Sequence, residues 1–173
     1  MKIDTDLTTL VLAVIGALIA LFQWRRDQSW KRADKLDSLF KEFSDSRLIQ
    51  IACRVMDWNR GNFKFPDGEV FSFNHEDVEK SLSVHGVDPN LTFTATQARM
   101  RDAYDAFLCF LERLDAAISD GLVPRKQALQ LFGYWIKHFM SMPEHPGCRE
   151  RALQYIANYS NLGSFERLHS KAV

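Results

Sequence analysis

One uninterrupted apolar run dominates the N-terminal part of the chain. Leu7 to Trp24 contains no charged residue, and Asp6 and Arg25 bound it on either side. A helix of about 18 residues rises roughly 27 Å, which is just enough to cross the hydrocarbon of a bilayer. The run lacks the positive flank and small-residue cleavage site of a secretory signal, and it lacks the polar stripe of a core helix. The pattern therefore predicts one transmembrane helix.

Small residues recur at helical spacing within this run. They form two pairs four positions apart, Ala13 with Ala17 and Gly16 with Ala20. Such pairs let two membrane helices approach closely, which predicts a homo-oligomer. Small residues are also common in membrane helices that do not associate, so lipid exposure of this face is the alternative.

The charges around the run predict its direction in the membrane. Before it, Lys2 and the terminal amine are the only cations, whereas a basic collar follows it: Arg25, Arg26, Lys31, Arg32 and Lys35. Because basic flanks remain in the cytoplasm, we expect the N-terminus outside the inner membrane and the C-terminal part inside. Trp24 and Trp30 suit the membrane interface on the same side. The predicted organisation is an anchor over residues 1–27 and a cytoplasmic helical domain over residues 28–173.

Apolar residues at spacings of three and four continue through most of the remaining chain. Thr94 and Gln97 form a capping box before the longest of these segments. Gly61 and Gly121 stand where two helices are expected to end. The predicted helices cover residues 28–43, 47–58, 75–84, 95–120, 125–142, 147–159 and 165–169.

In one short region, apolar and polar residues alternate with a period of two instead of the helical period. Phe63 to Phe65 and Val70 to Phe73 alternate around Pro66-Asp67-Gly68, which predicts a β-hairpin. The expected fold is mainly α: one N-terminal transmembrane helix plus a cytoplasmic domain of helical hairpins with one small inserted β-hairpin.

Composition narrows the classes of partner. The chain has 173 residues and a formal net charge of zero. About 140 residues follow the span and its collar, enough for one core, and a neutral domain is not expected to bind DNA. The three cysteines, Cys53, Cys109 and Cys148, are expected to be reduced in a cytoplasmic domain.

Several stretches resemble a known family. The apolar stripe after the collar (Trp30, Ala33, Leu36, Leu39, Phe40 and Phe43), the run from Phe107 to Leu114 before Gly121-Leu122-Val123, and Phe165 to Leu168 carry the similarity. They resemble DUF4760-like small bacterial membrane-anchored proteins of unknown function. The resemblance implies a helical cytoplasmic domain without established catalytic residues. The layout alone is also similar to membrane effectors of type III CRISPR and other antiphage systems, some of which are gated by cyclic oligoadenylate.

The sequence contains no recognisable catalytic motif. We find no Gly-rich phosphate loop, no HExxH and no GxSxG, so we expect no enzyme, no cofactor and no catalytic residue. The spacing of His138, Glu144, His145 and Cys148 is looser than in zinc sites, and a polar interhelical loop with no metal is favoured. Glu112 lies near an apolar face and is expected to pair with an arginine rather than to act in catalysis.

One cluster combines cations with a ring, as phosphate and base recognition require: Arg54, Trp58, Arg60 and Lys64. A solvated helix end with the same residue types is the alternative. Three hypotheses follow. The first is a membrane effector or sensor whose cytoplasmic domain binds a signalling ligand, plausibly a cyclic oligonucleotide, and controls oligomeric assembly. The second is a membrane-tethered scaffold that recruits a partner protein without a ligand. The third, an enzyme, has no residues to support it.

Overall fold

The computed structural model describes residues 5–84 and 91–170 of the chain. Within these ranges it contains seven helices and one two-stranded antiparallel sheet, so the predicted mainly helical class with a small hairpin is confirmed. The elements, in chain order, are α1 Thr5–Asp45, α2 Arg47–Asp57, β1 Gly61–Lys64, β2 Val70–Phe73, α3 His75–Ser81, α4 Ala95–Ser119, α5 Arg125–Ser141, α6 Cys148–Tyr159 and α7 Leu162–His169.

Helix α1 is a single element that differs in character between its two halves. Its 41 residues give a length of roughly 60 Å. Residues 9–24 of this helix are mostly apolar and exposed, and a window of 18 residues with mean hydropathy 1.5 is 0% buried. The second half packs on the domain through Leu39, which is buried, and through Leu36 and Phe43, which are half-buried. By length and composition, α1 is long and apolar enough to cross a membrane.

Helix α4 forms the centre of the domain core. The helices α2, α3, α5 and α7 pack on it, and α6 contacts α5 and α3. Its inner face is rich in aromatic rings, because Tyr104 and Phe107 contact Phe139 of α5 while Phe110 contacts Phe132. All five rings are buried.

Local signals account for most element boundaries. At the start of α4, the Thr94 side chain accepts from the backbone N–H of Gln97, and the Gln97 side chain accepts from the Thr94 N–H, which confirms the capping box. Gly121 has φ +69° just after α4 and ends it as expected. Helix α3 ends at Ser81, before the predicted Val84. The sequence also indicates Gly86 as the end of this helix and a loop over 87–90, and both lie outside the described residues.

The predicted hairpin is present and packs its rings inward. β1 and β2 are antiparallel, with Phe63 opposite Phe71, and Phe71 and Phe73 are buried. The expectation that Gly61 ends α2 is wrong: the helix ends at Asp57, and Gly61 begins β1. A Cβ at Gly61 would overlap the rings of Phe63 and Phe73, so ring packing rather than helix termination requires glycine there.

Ion pairs fasten the hairpin turn to the helices. Arg47 of α2 pairs with Asp67 and with Glu69, whose carboxylate lies 2.7 Å from the Arg47 Nη2 atom. Arg99 of α4 also pairs with Glu69. Hydrogen bonds from Arg47 lower the pKa of Asp67. The turn is therefore held by a shared set of charges.

Candidate functional site

An open groove of about 450 Å³ lies where α1, α2 and α5 meet. Aromatic rings and aliphatic side-chain stems make up most of its surface, with a few polar groups along one side. We call it the aromatic groove; its lining is Phe40, Phe43, Ser44, Gln50, Cys53, Arg54, Asp57, Trp58 and Trp135.

Helical periodicity brings these rings together. Phe40 and Phe43 are three positions apart on α1, so they share one side of the helix. Phe43 faces the core, whereas Phe40 is 46% exposed. Trp58 directly follows α2, is 55% exposed, and contacts the ring of Phe63 edge-on at 6.1 Å between centroids. Trp135 of α5 lies 6.4 Å from Phe43 and closes the opposite wall. The groove is therefore an apolar surface that the domain leaves uncovered.

One acidic group is held firmly at the edge of the groove. The Tyr134 hydroxyl donates a hydrogen bond of 2.8 Å to the Asp57 carboxylate, and this bond raises the pKa of Tyr134. The Nε2 atom of His138 lies 3.6 Å from the same carboxylate oxygen. At the floor, burial and the nearby Asp57 charge raise the pKa of the Cys53 thiol, so it stays protonated at neutral pH. Cys53 therefore adds no charge to the groove.

The structure brings together two of the four residues predicted to bind a ligand. Arg54 and Trp58 line the groove, and the Arg54 guanidinium lies 4.8 Å from the centre of the Phe63 ring. Arg60 and Lys64 are exposed and do not contribute to its lining. Among the described residues of the lining, one arginine therefore stands beside one aspartate.

The groove continues along α1 and α5. A second depression of about 420 Å³ shares Phe40 with it. Leu131, which is 42% exposed, contributes from α5. The full lining of this depression is Ala33, Leu36, Asp37, Phe40, Gln127 and Leu131. The apolar surface thus extends on both sides of Phe40, toward the first half of α1 and away from it.

No family model, curated protein or solved structure matches the chain. The family resemblance drawn from the sequence stays a prediction.

Glu112 has structural partners that differ from the expected arginine. Its Oε1 atom accepts hydrogen bonds of 2.7 Å from the Ser160 hydroxyl and from the Asn161 backbone N–H. It therefore joins α4 to the turn between α6 and α7. Arg113, the neighbouring candidate partner, pairs with Glu42 of α1.

The two histidines among the four residues weighed as a metal cluster, His138 and His145, have separate surroundings. His145 is buried, its Nε2 atom lies 2.8 Å from the Val55 carbonyl oxygen, and its ring stacks on His75. The ring of His138 instead contacts that of Tyr134 at a tilt of 30°, with ring centroids 4.2 Å apart. Across residues 5–84 and 91–170, no three His, Cys, Asp or Glu side chains are grouped to hold a metal ion.

The small residues of α1 lie on a free surface. Ala13, Gly16, Ala17 and Ala20 are all exposed, and a Cβ added at Gly16 would meet no atom within 4 Å. We call these four residues the small-residue face. Its composition is compatible with close helix packing, and association through it stays a prediction.

Proposed function

We propose that the protein is a single-pass membrane protein whose cytoplasmic helical domain recruits a partner protein through the aromatic groove. The observation that carries the proposal is the groove itself, where Phe40 and Trp58 are 46% and 55% exposed beside Trp135. Monomeric domains rarely leave clustered rings in water, and such patches typically mark interaction sites. Tryptophan, tyrosine and arginine are also enriched among the few residues that dominate the binding energy of protein interfaces, and the groove exposes Trp58 and Arg54.

The surface of α1 supports membrane attachment. Exposed apolar side chains, most of them large, follow one another along residues 10–24, and within the described residues the window of highest hydropathy is 0% buried. A helix that is apolar all round is stable when lipid covers it. The collar from Arg25 to Lys35 favours a cytoplasmic position for the domain.

The shape and charge of the groove favour an amphipathic helix as its occupant. Its two depressions meet at Phe40 and follow α1 and α5, which suits a helix with apolar residues at i, i+3 or i+4, and i+7. Arg54 and Asp57 offer one positive and one negative group at the rim, as polar interface rims do. A partner helix with mixed charges beside its apolar stripe matches this surface.

A ligand-gated effector is the second candidate. Arg54 beside Trp58 favours it, because nucleotide recognition combines a cation with a stacking ring. A cyclic oligonucleotide carries several phosphates, however, and Arg54 is accompanied by the acidic Asp57. Arg60 and Lys64, which would supply further positive charge, lie outside the lining. The apolar character of the groove therefore favours protein recruitment.

Photo-crosslinking in cells tests recruitment. A benzoylphenylalanine placed at Leu131, in the depression that shares Phe40 with the aromatic groove, is compared with one at Gln154, which is exposed on α6. We expect one defined protein adduct from position 131, with a crosslinked peptide that has an amphipathic helical pattern, and none from position 154. Phe40→Arg should abolish the adduct, because it places a charge between the two depressions. Equal adducts from both positions, or none from either, would refute the proposal.

Calorimetry tests the second candidate directly. The full chain in mild detergent is titrated with cyclic di-, tri-, tetra- and hexanucleotides. Heat with one of them that disappears in Arg54→Ala would favour the effector over the recruiter. Silence across the panel is expected from the proposed function.

Cys109 provides a native test of topology. It is exposed on α4, whereas Cys53 and Cys148 are buried. An impermeant maleimide should leave Cys109 unlabelled in intact spheroplasts and label it after lysis. The chain should also remain in the membrane pellet after alkaline carbonate extraction. Labelling in intact spheroplasts would reverse the predicted orientation, and release by carbonate would contradict insertion.

A further inference from the structure

A second cavity, distinct from the aromatic groove, lies between α1 and the start of α5. It has a volume of about 500 Å³. We call it the collar pocket; its lining is Trp24, Arg25, Gln28, Ser29, Arg32, Ala33, Pro124 and Gln127. Among the described residues that line it there are two guanidinium groups, several amide and hydroxyl groups, and no carboxylate. Its chemistry is that of an anion site.

The pocket begins where the apolar run ends. Trp24 is the last residue of that run and Arg25 is its first charge. From Trp24 to Ala33 the helix rises roughly 14 Å. If α1 spans the membrane, as the proposed function holds, the membrane-proximal part of the pocket lies in the headgroup layer, which is about 5–8 Å thick on each side. Lipid phosphates lie at this level.

The two arginines of the pocket are free to bind an external anion. In the described part of the chain, neither Arg25 nor Arg32 forms a salt bridge. Five arginines of the domain, by contrast, are paired with acidic side chains, namely Arg47, Arg99, Arg113, Arg151 and Arg167. Arg25 and Arg32 are seven positions apart, about two helical turns, so they lie on the same side of α1. Two unpaired guanidinium groups therefore face the same cavity.

We propose that the collar pocket binds the headgroup of an anionic phospholipid, with Arg25 and Arg32 at the phosphate. Guanidinium groups recognise phosphate through paired hydrogen bonds, and Gln28, Ser29 and Gln127 supply further polar groups around it. Trp24 suits the boundary between headgroup and acyl chain. The lipid would bridge α1 to the start of α5. Because α5 also forms a wall of the aromatic groove, the lipid would hold the groove at a defined height above the membrane.

The neighbouring turn fits a surface that approaches the bilayer. Leu122 lies in the turn between α4 and α5, two residues before Pro124 of the pocket, and is 49% exposed. Exposed leucines next to cationic groups are typical of surfaces that lie in a membrane interface. The lipid, the arginines and this turn would then form one contact between domain and membrane.

Native mass spectrometry of the full chain in mild detergent tests the proposal. The chain is titrated with phosphatidylglycerol and, separately, with neutral phosphatidylcholine. We expect one phosphatidylglycerol retained per chain and no comparable retention of phosphatidylcholine. The double variant Arg25→Gln, Arg32→Gln should lower the affinity for phosphatidylglycerol about tenfold or more. No retention by the unaltered chain would overturn the proposal.

A matched double variant separates a built site from diffuse attraction. Arg26→Gln, Lys31→Gln removes the same charge from the same collar at positions that do not line the pocket. We expect it to change the affinity by no more than about twofold, and an equal loss in both doubles would overturn the proposal. If soluble glycerol phosphate competed for the pocket as effectively as the lipid, the ligand would be a free phosphate rather than a lipid headgroup, and this result would also overturn the proposal. Failure of carbonate-resistant insertion would contradict the proposed function, whereas insertion without lipid selectivity would contradict the pocket alone.

Discussion

Phe43 connects α1 to the domain core, and its removal tests how the two parts are joined. Its ring centroid lies 5.1 Å from Phe110, 5.2 Å from Phe132, and 6.4 Å from both Phe107 and Trp135. These distances lie within the range of favourable aromatic pairs. The side chains come from α4 and α5, so one residue of α1 contacts both central helices of the core.

The structure gives the size of the expected effect. Replacing a fully buried phenylalanine by alanine costs about 3–5 kcal/mol of unfolding free energy. Phe43 is half-buried, since part of its ring forms the groove wall, and this lowers the cost. The lost aromatic pairs are part of this cost and keep it above that of a ring without such contacts. We therefore expect Phe43→Ala to lower the unfolding free energy by about 2–3 kcal/mol and the melting temperature by about 6–12 °C.

Thermal unfolding of the full chain in mild detergent, followed by near-ultraviolet circular dichroism, measures this loss. Phe40→Ala is the matched control, because it makes the same change on the same helix and removes another ring of the groove. Phe40 is 46% exposed and, within the described residues, has no ring contact. Its variant should lose no more than about 1 kcal/mol. If both variants melt within 2 °C of each other by this measurement, roughly the experimental error, the argument from ring contacts is wrong.

Three further outcomes follow from particular side chains. Burial lowers the pKa of His145 in the folded chain below its ordinary value of 6.5, so below pH 6.5 the unfolded chain binds more protons than the folded chain. The unfolding free energy should therefore be highest above pH 6.5 and fall as the pH drops below it, which urea titrations at pH 7.5 and 5.5 would show. Thr94→Ala removes the hydrogen bond to the Gln97 N–H at the start of α4 and should cost about 1 kcal/mol in urea unfolding. Ellman's reagent should modify Cys109 in the native chain and spare Cys53, whose buried thiol has a raised pKa, until denaturant is added.

Local signals predict most of the elements, because their causes lie within a few residues. Thr94 and Gln97 specify the start of α4 through hydrogen bonds across one turn. Gly121 ends the same helix because its backbone adopts a positive φ. Gly61 shows the limit of this reasoning: it is required by two phenylalanine rings, one of them twelve positions away, and no local pattern reveals that overlap.

The groove could not be predicted, because coverage of a helix face is a property of the tertiary structure. Trp135 belongs to the same apolar stripe as Phe132 and Phe139, and helical periodicity places all three on the inner face. Phe132 and Phe139 are buried, whereas Trp135 meets the gap between α1 and α2. Glu112 is a similar case, since its partners are a hydroxyl and a backbone amide 48 and 49 positions away. The exposed rings of the aromatic groove are recognisable as one patch only in the tertiary structure.

The small-residue face and the aromatic groove lie on different sides of α1. This predicts that association between copies of the chain in the membrane and recruitment of a partner protein are independent. Ala20 and Phe40 are 20 positions apart on one helix, so at about 100° per residue they lie roughly 160° apart around its axis. Beyond the apolar run, the side of the small-residue face continues with exposed charged residues, Asp27, Lys31 and Asp34. Pairing through this face is therefore expected to be confined to the membrane and to leave each groove open.

Leucine substitution on this face separates the two activities. Gly16→Leu with Ala20→Leu should weaken chemical crosslinking between copies in the membrane, because bulky side chains keep two helices apart. Gly16→Leu is not expected to strain the monomer, since a Cβ there meets no atom within 4 Å. Ile15→Leu, on another side of α1, is the control. The groove adduct from position 131 should persist in all of these variants. Its loss together with self-association would show that a second copy completes the groove, and the independence argued from helix geometry would then be wrong.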